Sequence, residues 1–463
     1  MQAIQSLKVS ISGVRGIVGE ALTPQLVVRF AQAFGAYLDG GTVVLGRDTR
    51  LSGEMVREAT LAGLLAVGCR VIDLGVCPVP TVQWNVRQLR ADGGIALTAS
   101  HNPQEWNALK FISASGLFLN HYQADELLDV YHQGQFPLAP WNRLGRWTSD
   151  GAGIPRHLQA ILERVEVDLI RSRRFHVAID CCNGAGAAMA PQLLEALGCR
   201  VERLNVALDQ DFPHKPEPVP ENLTQLCQFV RQTGAEIGFA QDADADRLAI
   251  VSEQGVPLGD EYTLVLAADF VLSQQPGVVV TNLSTTRAVE ERAHQLGSRC
   301  VRTRVGEINV VTGMQQEGAA IGGEGNGGII YPALHYARDS LMGMALILEH
   351  LARQGGTVGQ LKARMPAYFM AKKRYRRPPL DQLQRLYHHL AERYRQQPGA
   401  RINLLEGVRI DLPDRWCHVR ASNTEPILRL YAEAATPGEE EAFAAEIHRQ
   451  IEELLGLELP ESG

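Results

Sequence analysis

One plan recurs three times along this chain and confines it to α/β architecture. "TVVLGRDTRLSGEMVREATLAGLLAVGCRVIDLG" begins at Thr42, "HVAIDCCNGAGAAMAPQLLEALGCRVERLNV" at His176 and "VVVTNLSTTRAVEERAHQLGSRCVRTRVG" at Val278. Each runs from a β-branched segment through a turn into an amphipathic stretch, stops near a glycine, and starts a second β-branched segment. That order predicts strand, helix, strand. The strand segments are apolar nearly throughout, so sheets covered on both faces are expected. Three similar α/β domains fit this pattern better than the alternative of one large doubly wound sheet, because 463 residues exceed what one core organises.

The chain changes character after Pro366. "PAYFMAKKRYRRPP" is basic and closes on two prolines, which reads as a strand running into a linker; its charge suits a polyanion site, but a solvated connector is the plainer reading. A helix over 381–396 follows. "GVRIDLPDRWCHVRAS" and "ILRLYAEAA" then alternate as half-exposed antiparallel strands do, and a helix over 439–455 comes last. This is a smaller α+β domain. The predicted limits are 1–150, 151–255, 256–370 and 371–463.

A net charge of −7 argues against general nucleic-acid binding. The longest apolar stretch, "LVLAADFVL" near Leu264, is too short to span a bilayer, and the first 13 residues carry no signal-like apolar run. Eight cysteines are scattered without a C-x-x-C pair, so buried free thiols in a reducing cytoplasm are expected. The sequence is compatible with a monomer or a homodimer.

Four loops carry chemistry. In "LTASHNP", Ser100 stands where an apolar strand ends and Asn102-Pro103 forces a turn. It reads as a plain turn serine, a hydrolase nucleophile or a phosphoryl carrier; G-x-S-x-G is absent, and a carrier needs a cation site nearby. "QDADADRLAIV" offers one. Asp242, Asp244 and Asp246 are hard oxygen ligands at a spacing that suits Mg²⁺. An acidic surface turn is the plainer reading, but three aspartates between apolar strands would repel one another without a cation. An EF-hand is excluded by Arg247 where that loop needs glycine; Arg247 reads as a phosphate or substrate contact. "GGEGNGG" from Gly322 holds Glu324 and Asn326 on glycine backbone, which suits sugar hydroxyls as well as it suits a bare turn. "RASNTEP" gathers Arg420, Ser422, Asn423 and Thr424, with Arg429 beyond. It reads as a phosphate-holding nest or as an Asx/ST turn.

Together "TASHNP", "DADADR", "GEGNG" and "RASNTEP", with "SGVRGIVG" at Ser12 and "VGEINVV" at Val305, resemble the α-D-phosphohexomutase superfamily in order and over the whole chain. The resemblance implies three α/β domains with mixed sheets and a C-terminal TATA-binding-protein-like domain around a central cleft. It implies that Ser100 is held as phosphoserine, supported by His101 and Asn102, and is a metal ligand with Asp242, Asp244 and Asp246 for one Mg²⁺. Hexose 1,6-bisphosphate is then the intermediate and activator of an isomerase that exchanges hexose 6-phosphate and hexose 1-phosphate. Lys110 matches the family's lysine past the serine and is the candidate proton-transfer group; Arg15 matches the N-terminal arginine. Arg420, Ser422, Asn423 and Thr424 would hold the idle phosphate. The sugar loop departs from the common G-E-x-S-G-H at Asn326 and Gly328, and Glu307 stands where some mannose/glucose enzymes have histidine. The "EGNGG…YP…HYARD" form resembles sequences assigned as phosphoglucosamine mutases; phosphomannomutase/phosphoglucomutase is the alternative.

Overall fold

The computed structural model describes residues 7–10, 13–422 and 426–456. They form four separate sheets, not one. The first sheet contains β1 (Lys8–Ser10), β2 (Gly13–Ile17), β3 (Thr42–Arg47), β4 (Arg70–Val76), β5 (Gly93–Leu97), β6 (Trp106–Ser113) and β7 (Arg146–Ser149) in the order β1-β2-β6-β5-β3-β4-β7. The second holds β8 (His176–Asp180), β9 (Arg200–Leu204), β10 (Ile237–Gln241) and β11 (Leu248–Ser252) in the order β11-β10-β8-β9. The third holds β12 (Val278–Asn282), β13 (Arg299–Thr303), β14 (Ile321–Glu324) and β15 (Gly328–Ile330) in the order β13-β12-β14-β15.

One motif underlies all three. Two strands flank a central one in parallel, and an antiparallel hairpin returns on one side: β4-β3-β5-β6, β9-β8-β10-β11 and β13-β12-β14-β15. The repeated sequence plan is this motif's first βαβ unit. Expectation and structure differ at the rims. β9 and β13 are edge strands, and their polar positions face outward, as in "RVERL" and "RCVRT". Only the central strands are covered on both faces.

The fourth sheet is antiparallel throughout: β16 (Phe369–Arg376), β17 (Arg401–Asn403), β18 (Val408–Asp411), β19 (Arg415–Ala421) and β20 (Ile427–Ala434), ordered β16-β20-β19-β18-β17. Helices Leu380–Arg395 and Pro437–Leu455 pack on it. The strand expected in the basic segment after Pro366 is an integral part of this sheet. Phe369–Arg376 pairs along its whole length with β20, so only the short stretch after it links. Among the described residues, no helix is long and apolar enough to cross a membrane.

The motif's hairpin positions the site. The turn between β5 and β6 carries Ser100, that between β10 and β11 carries the three aspartates, and that between β14 and β15 carries the glycine loop. Each lies at the carboxyl end of a parallel strand, where α/β sheets hold ligands. A cleft of about 630 Å³ runs between these turns and the β19–β20 turn of the fourth domain.

Candidate active site

The Ser100 turn is built against strain. Ser100 is buried at φ 50°, in the left-handed region that a side chain seldom adopts. Its Oγ donates to Asp242 Oδ2 at 2.7 Å, and its amide donates to Thr98 Oγ1 at 3.0 Å. Arg15 Nη1 donates to Asn102 Oδ1 at 3.1 Å. His101 lines the cleft; burial first, then the charges of Arg247 and Arg15, hold its imidazole well below the ordinary range and therefore neutral.

The three aspartates are buried, and their ligand oxygens lie within 4.8 Å of one another. Each carboxylate is held by one oxygen or by the turn itself. Asp242 Oδ1 accepts from the amides of Asp246 and Arg247, both at 3.1 Å. Asp244 Oδ2 pairs with Lys110 Nζ at 2.7 Å, and Asp246 Oδ2 with Arg338 Nη2 at 2.6 Å. The other oxygens, Asp244 Oδ1 and Asp246 Oδ1, are buried and accept no hydrogen bond. Two orphaned carboxylate oxygens beside a third carboxylate fit a hard divalent cation. The sequence argument from mutual repulsion was incomplete, because Lys110 and Arg338 supply charges from other domains. Burial, with Asp244 and Asp246 adding to it, pushes Asp242 far up. Burial also pushes Asp244 up, but Lys110, Asp242 and Arg338 together outweigh it and hold that carboxyl below the usual range. Arg247 reaches across to Glu217, Nη1 to Oε1 at 3.5 Å.

Glu324 is buried and held at both oxygens. Its Oε1 accepts from Asn282 Nδ2 at 2.8 Å and from the Gly306 amide at 3.0 Å, and its Oε2 lies 3.1 Å from Arg338 Nη1. Glu307 opens the helix Glu307–Glu317, with Oε2 at 3.1 Å from Arg338 Nε. Burial, with Asp246 adding and Arg338 opposing, pushes it up to about 7. Asn326 lines the cleft while its Oδ1 braces the turn on the Gly328 amide at 3.2 Å.

Across the cleft, Arg420 on β19, Arg429 on β20 and Arg374 on β16 stand in one register row. All three line the cleft with Ser422, Lys372 and Lys373. Arg420 Nη1 meets Glu406 Oε1 at 3.2 Å. Asn423 and Thr424 lie outside the described residues.

Comparison with known proteins agrees with this layout. Four descriptions of the phosphoglucomutase/phosphomannomutase family match in sequence: alpha/beta/alpha domain I at residues 7–137, domain II at 155–255, domain III at 258–368 and the C-terminal domain at 370–450. The chain belongs to the phosphoglucomutase/phosphomannomutase family. A "Phosphoglucomutase/phosphomannomutase" of Thermococcus kodakarensis is 38% identical over 430 residues, 91% of this chain and 93% of its own. A "Probable phosphoglucosamine mutase" of Methanopyrus kandleri is 37% identical, again over 91% and 93%. A crystal structure of a phosphoglucomutase/phosphomannomutase family protein from Burkholderia thailandensis superposes with a TM-score of 0.86 at 26% identity, covering 99% of both chains. The protein is thus a phosphohexomutase, an isomerase of the α-D-phosphohexomutase superfamily.

Three parts of this phosphohexomutase site escaped the sequence reading. Arg50, buried and paired with Asp48 Oδ2 at 3.0 Å, clamps the Ser100 turn from beneath. Its Nη2 donates to the carbonyls of Ser100 and Asn102 at 2.7 and 2.8 Å, and its Nη1 to those of Trp106, at 2.9 Å, and Pro103. The signal was the "GRDTR" turn, where a charged pair ends an apolar strand. Arg338 joins Asp246, Glu307 and Glu324, and its signal was "HYARD". Lys372, Lys373 and Arg374 line the cleft from β16, so the basic charge read more plainly as a solvated connector belongs to the cleft wall.

Proposed function

We propose that the chain is a phosphoglucosamine mutase, interconverting glucosamine 6-phosphate and glucosamine 1-phosphate through phosphoserine at Ser100 and a hexose 1,6-bisphosphate. The observation that carries the reading is the Ser100 hydroxyl bonded to Asp242 in a buried three-aspartate cluster, opposite a row of arginines. That juxtaposition supplies a carrier, a cation site beside it and a holder for a second phosphate. Mg²⁺, held by Asp242, Asp244, Asp246 and a phosphoserine oxygen, would supply Lewis-acid stabilisation of the transferring phosphoryl group.

The protein's own groups do the rest. Arg50 fixes the turn so that Ser100 Oγ points at the aspartates. Arg374, Arg420, Arg429 and Ser422, with Asn423 and Thr424 by resemblance, hold the phosphate that is not reacting. Glu324, Asn326 and Glu307 accept from the sugar between the two ends. Arg247 and Arg15 add positive charge at the Ser100 end, and His101, kept neutral, can hydrogen-bond there without adding more. Lys110 lines the cleft beside the triad and is the candidate for moving the proton of the accepting hydroxyl. Phosphoryl passes from Ser100 to the free hydroxyl, the bisphosphate turns end for end, and its other phosphate returns to Ser100.

Glucosamine is favoured because carboxylates facing an ammonium make stronger contacts than to a hydroxyl, and because the Methanopyrus relative bears that activity's name. The Thermococcus relative's name supports the second reading, phosphoglucomutase/phosphomannomutase. The test is incubation with hexose 1,6-bisphosphate followed by intact mass, then kcat/KM for glucosamine, glucose and mannose 6-phosphates. One phosphate at Ser100, absent in Ser100→Ala, is expected, with glucosamine 6-phosphate turned over best. A phosphate elsewhere defeats the mechanism, and a better rate with glucose or mannose 6-phosphate hands the sugar to the second reading.

A further inference from the structure

Arg338 touches both the metal-type cluster and the sugar loop. Its Nη2 donates to Asp246 Oδ2 at 2.6 Å and its Nη1 to Glu324 Oε2 at 3.1 Å, while its Nε lies 3.1 Å from Glu307 Oε2 as an ion pair without hydrogen-bond geometry. A guanidinium reaches separate carboxylates from nitrogens held in a fixed fork, and an ammonium has no such fork. It engages Asp246 Oδ2, and the buried Oδ1 accepts no hydrogen bond, with Arg247 Nε 3.9 Å away.

The surroundings are built for this arginine. A Cβ on Gly328 would stand 2.4 Å from Arg338 Cδ, so the bare glycine at the end of the sugar loop is the space its stem fills. The backbone at 338 is pinned by its neighbour. Asp339 Oδ2 accepts from His157 Nε2 at 2.9 Å and His335 Nε2 at 3.0 Å, and its Oδ1 caps the helix Ser340–Gln354 on the amides of Leu341 and Met342. His157 comes from the second domain, and its Nδ1 meets Thr81 of the first at 2.9 Å. Three domains thus converge to hold one residue in place.

We propose that Arg338 is a positioning residue that ties the sugar-facing carboxylates Glu324 and Glu307 to the cation-facing carboxylate Asp246, so that cation affinity and sugar discrimination depend on one guanidinium. The proposal rests on the reading above that Asp246 is a metal ligand and Glu324 faces the sugar. Freed from Glu324, the guanidinium leans on Asp246 and competes with a cation for it; freed from both, neither loop reports to the other.

The experiment measures Mn²⁺ affinity by calorimetry in the sugar-free protein for wild type, Glu324→Gln, Arg338→Lys and the double variant. Lysine keeps the charge, so the comparison isolates the fork. Glu324→Gln should weaken Mn²⁺ binding about fivefold in the wild-type background and by less than about twofold in the Arg338→Lys background. Loss of one negative charge acting through space would weaken binding equally in both backgrounds, and that result overturns the proposal. Arg338→Lys should also shift the ratio of kcat/KM between glucosamine and glucose 6-phosphates about fivefold, where a merely structural loss scales both rates together. If Arg338→Lys does not fold, Arg338→Gln takes its place in the same cycle, and equal weakening by Glu324→Gln in both backgrounds again overturns the proposal. Asp246→Asn is the control for the underlying reading: if it leaves Mn²⁺ binding intact, the metal assignment fails first and takes this inference with it.

Discussion

A serine at φ 50° does not stay there by preference; the backbone cost is of order 1–3 kcal/mol and must be met by fixed partners. Arg50 is that partner, spending its donors on carbonyls of the turn and on Asp48. Arg50→Lys keeps the charge but reaches fewer acceptors, leaving buried carbonyls unpaired at about 1–3 kcal/mol each. The expected loss is about 2–4 kcal/mol of stability by urea unfolding, with faster amide exchange in the Ser100 turn; stability within 0.5 kcal/mol or so of wild type would remove Arg50 from this role. The residue scale also shows what a sequence makes legible. Ser100, the three aspartates and Glu324 stand out because their chemistry is local to short motifs. Arg50 and Arg338 do not, because their partners lie 50 and 92 residues away and only the fold brings them together.

At the scale of elements, the three chemical turns are one turn used three times, the hairpin closing each repeated sheet. The βαβ plan was readable because hydrophobic period and glycine stops are local signals. The equivalence of the hairpins was not, since strand order is set by pairing between distant segments. Backbone bonds tie the aspartate turn to the first domain and to the sugar loop. The first amide of the helix Val79–Gln88 donates to the Asp244 carbonyl at 3.0 Å, and Leu248 N donates to Gly327 O at 3.0 Å. Gly327 has φ +85°, and a Cβ there would lie 2.4 Å from the Leu248 carbonyl oxygen. Gly327→Ala must therefore both strain the turn and push the sugar loop off β11. A drop of about 2–4 kcal/mol in stability is expected, with KM for the sugar phosphate raised more than the Ser100 phosphorylation level is lowered. Equal loss of both would mean the hairpins move as one block.

The whole molecule divides by the kind of contact that joins its parts. One apolar core runs through the second and third domains, from Ile161 and Val177 to Leu341 and Leu351, with Trp84 of the first domain packed into it. The fourth domain has a core of its own, from Tyr375 to Ile451. It meets the third through polar contacts: Arg287 Nη2 to the Leu412 carbonyl at 2.7 Å, Val305 N to Glu406 Oε2 at 2.6 Å and Lys372 Nζ to Asp260 Oδ2 at 2.7 Å. Interfaces of that kind permit relative motion. His418 sits in this seam. Its Nε2 donates to the Glu406 carbonyl at 2.7 Å, so its Nδ1 accepts from Ser284 Oγ at 2.9 Å, and that acceptor role needs the neutral ring. Burial pushes it down to about 3, against about 6.5 when unfolded. The sign follows. A histidine depressed in the native state binds fewer protons there than in the unfolded chain, so its stabilisation is full above about pH 6.5 and is lost as pH falls from there toward 3. The steepest loss one such group can cause is about 1.4 kcal/mol per pH unit. Calorimetry between pH 7 and pH 5 should therefore show the melting of the fourth domain falling with acid, and His418→Gln, which can keep one donor and one acceptor without titrating, should fall less. An identical pH dependence in the variant would place the acid sensitivity elsewhere in the seam.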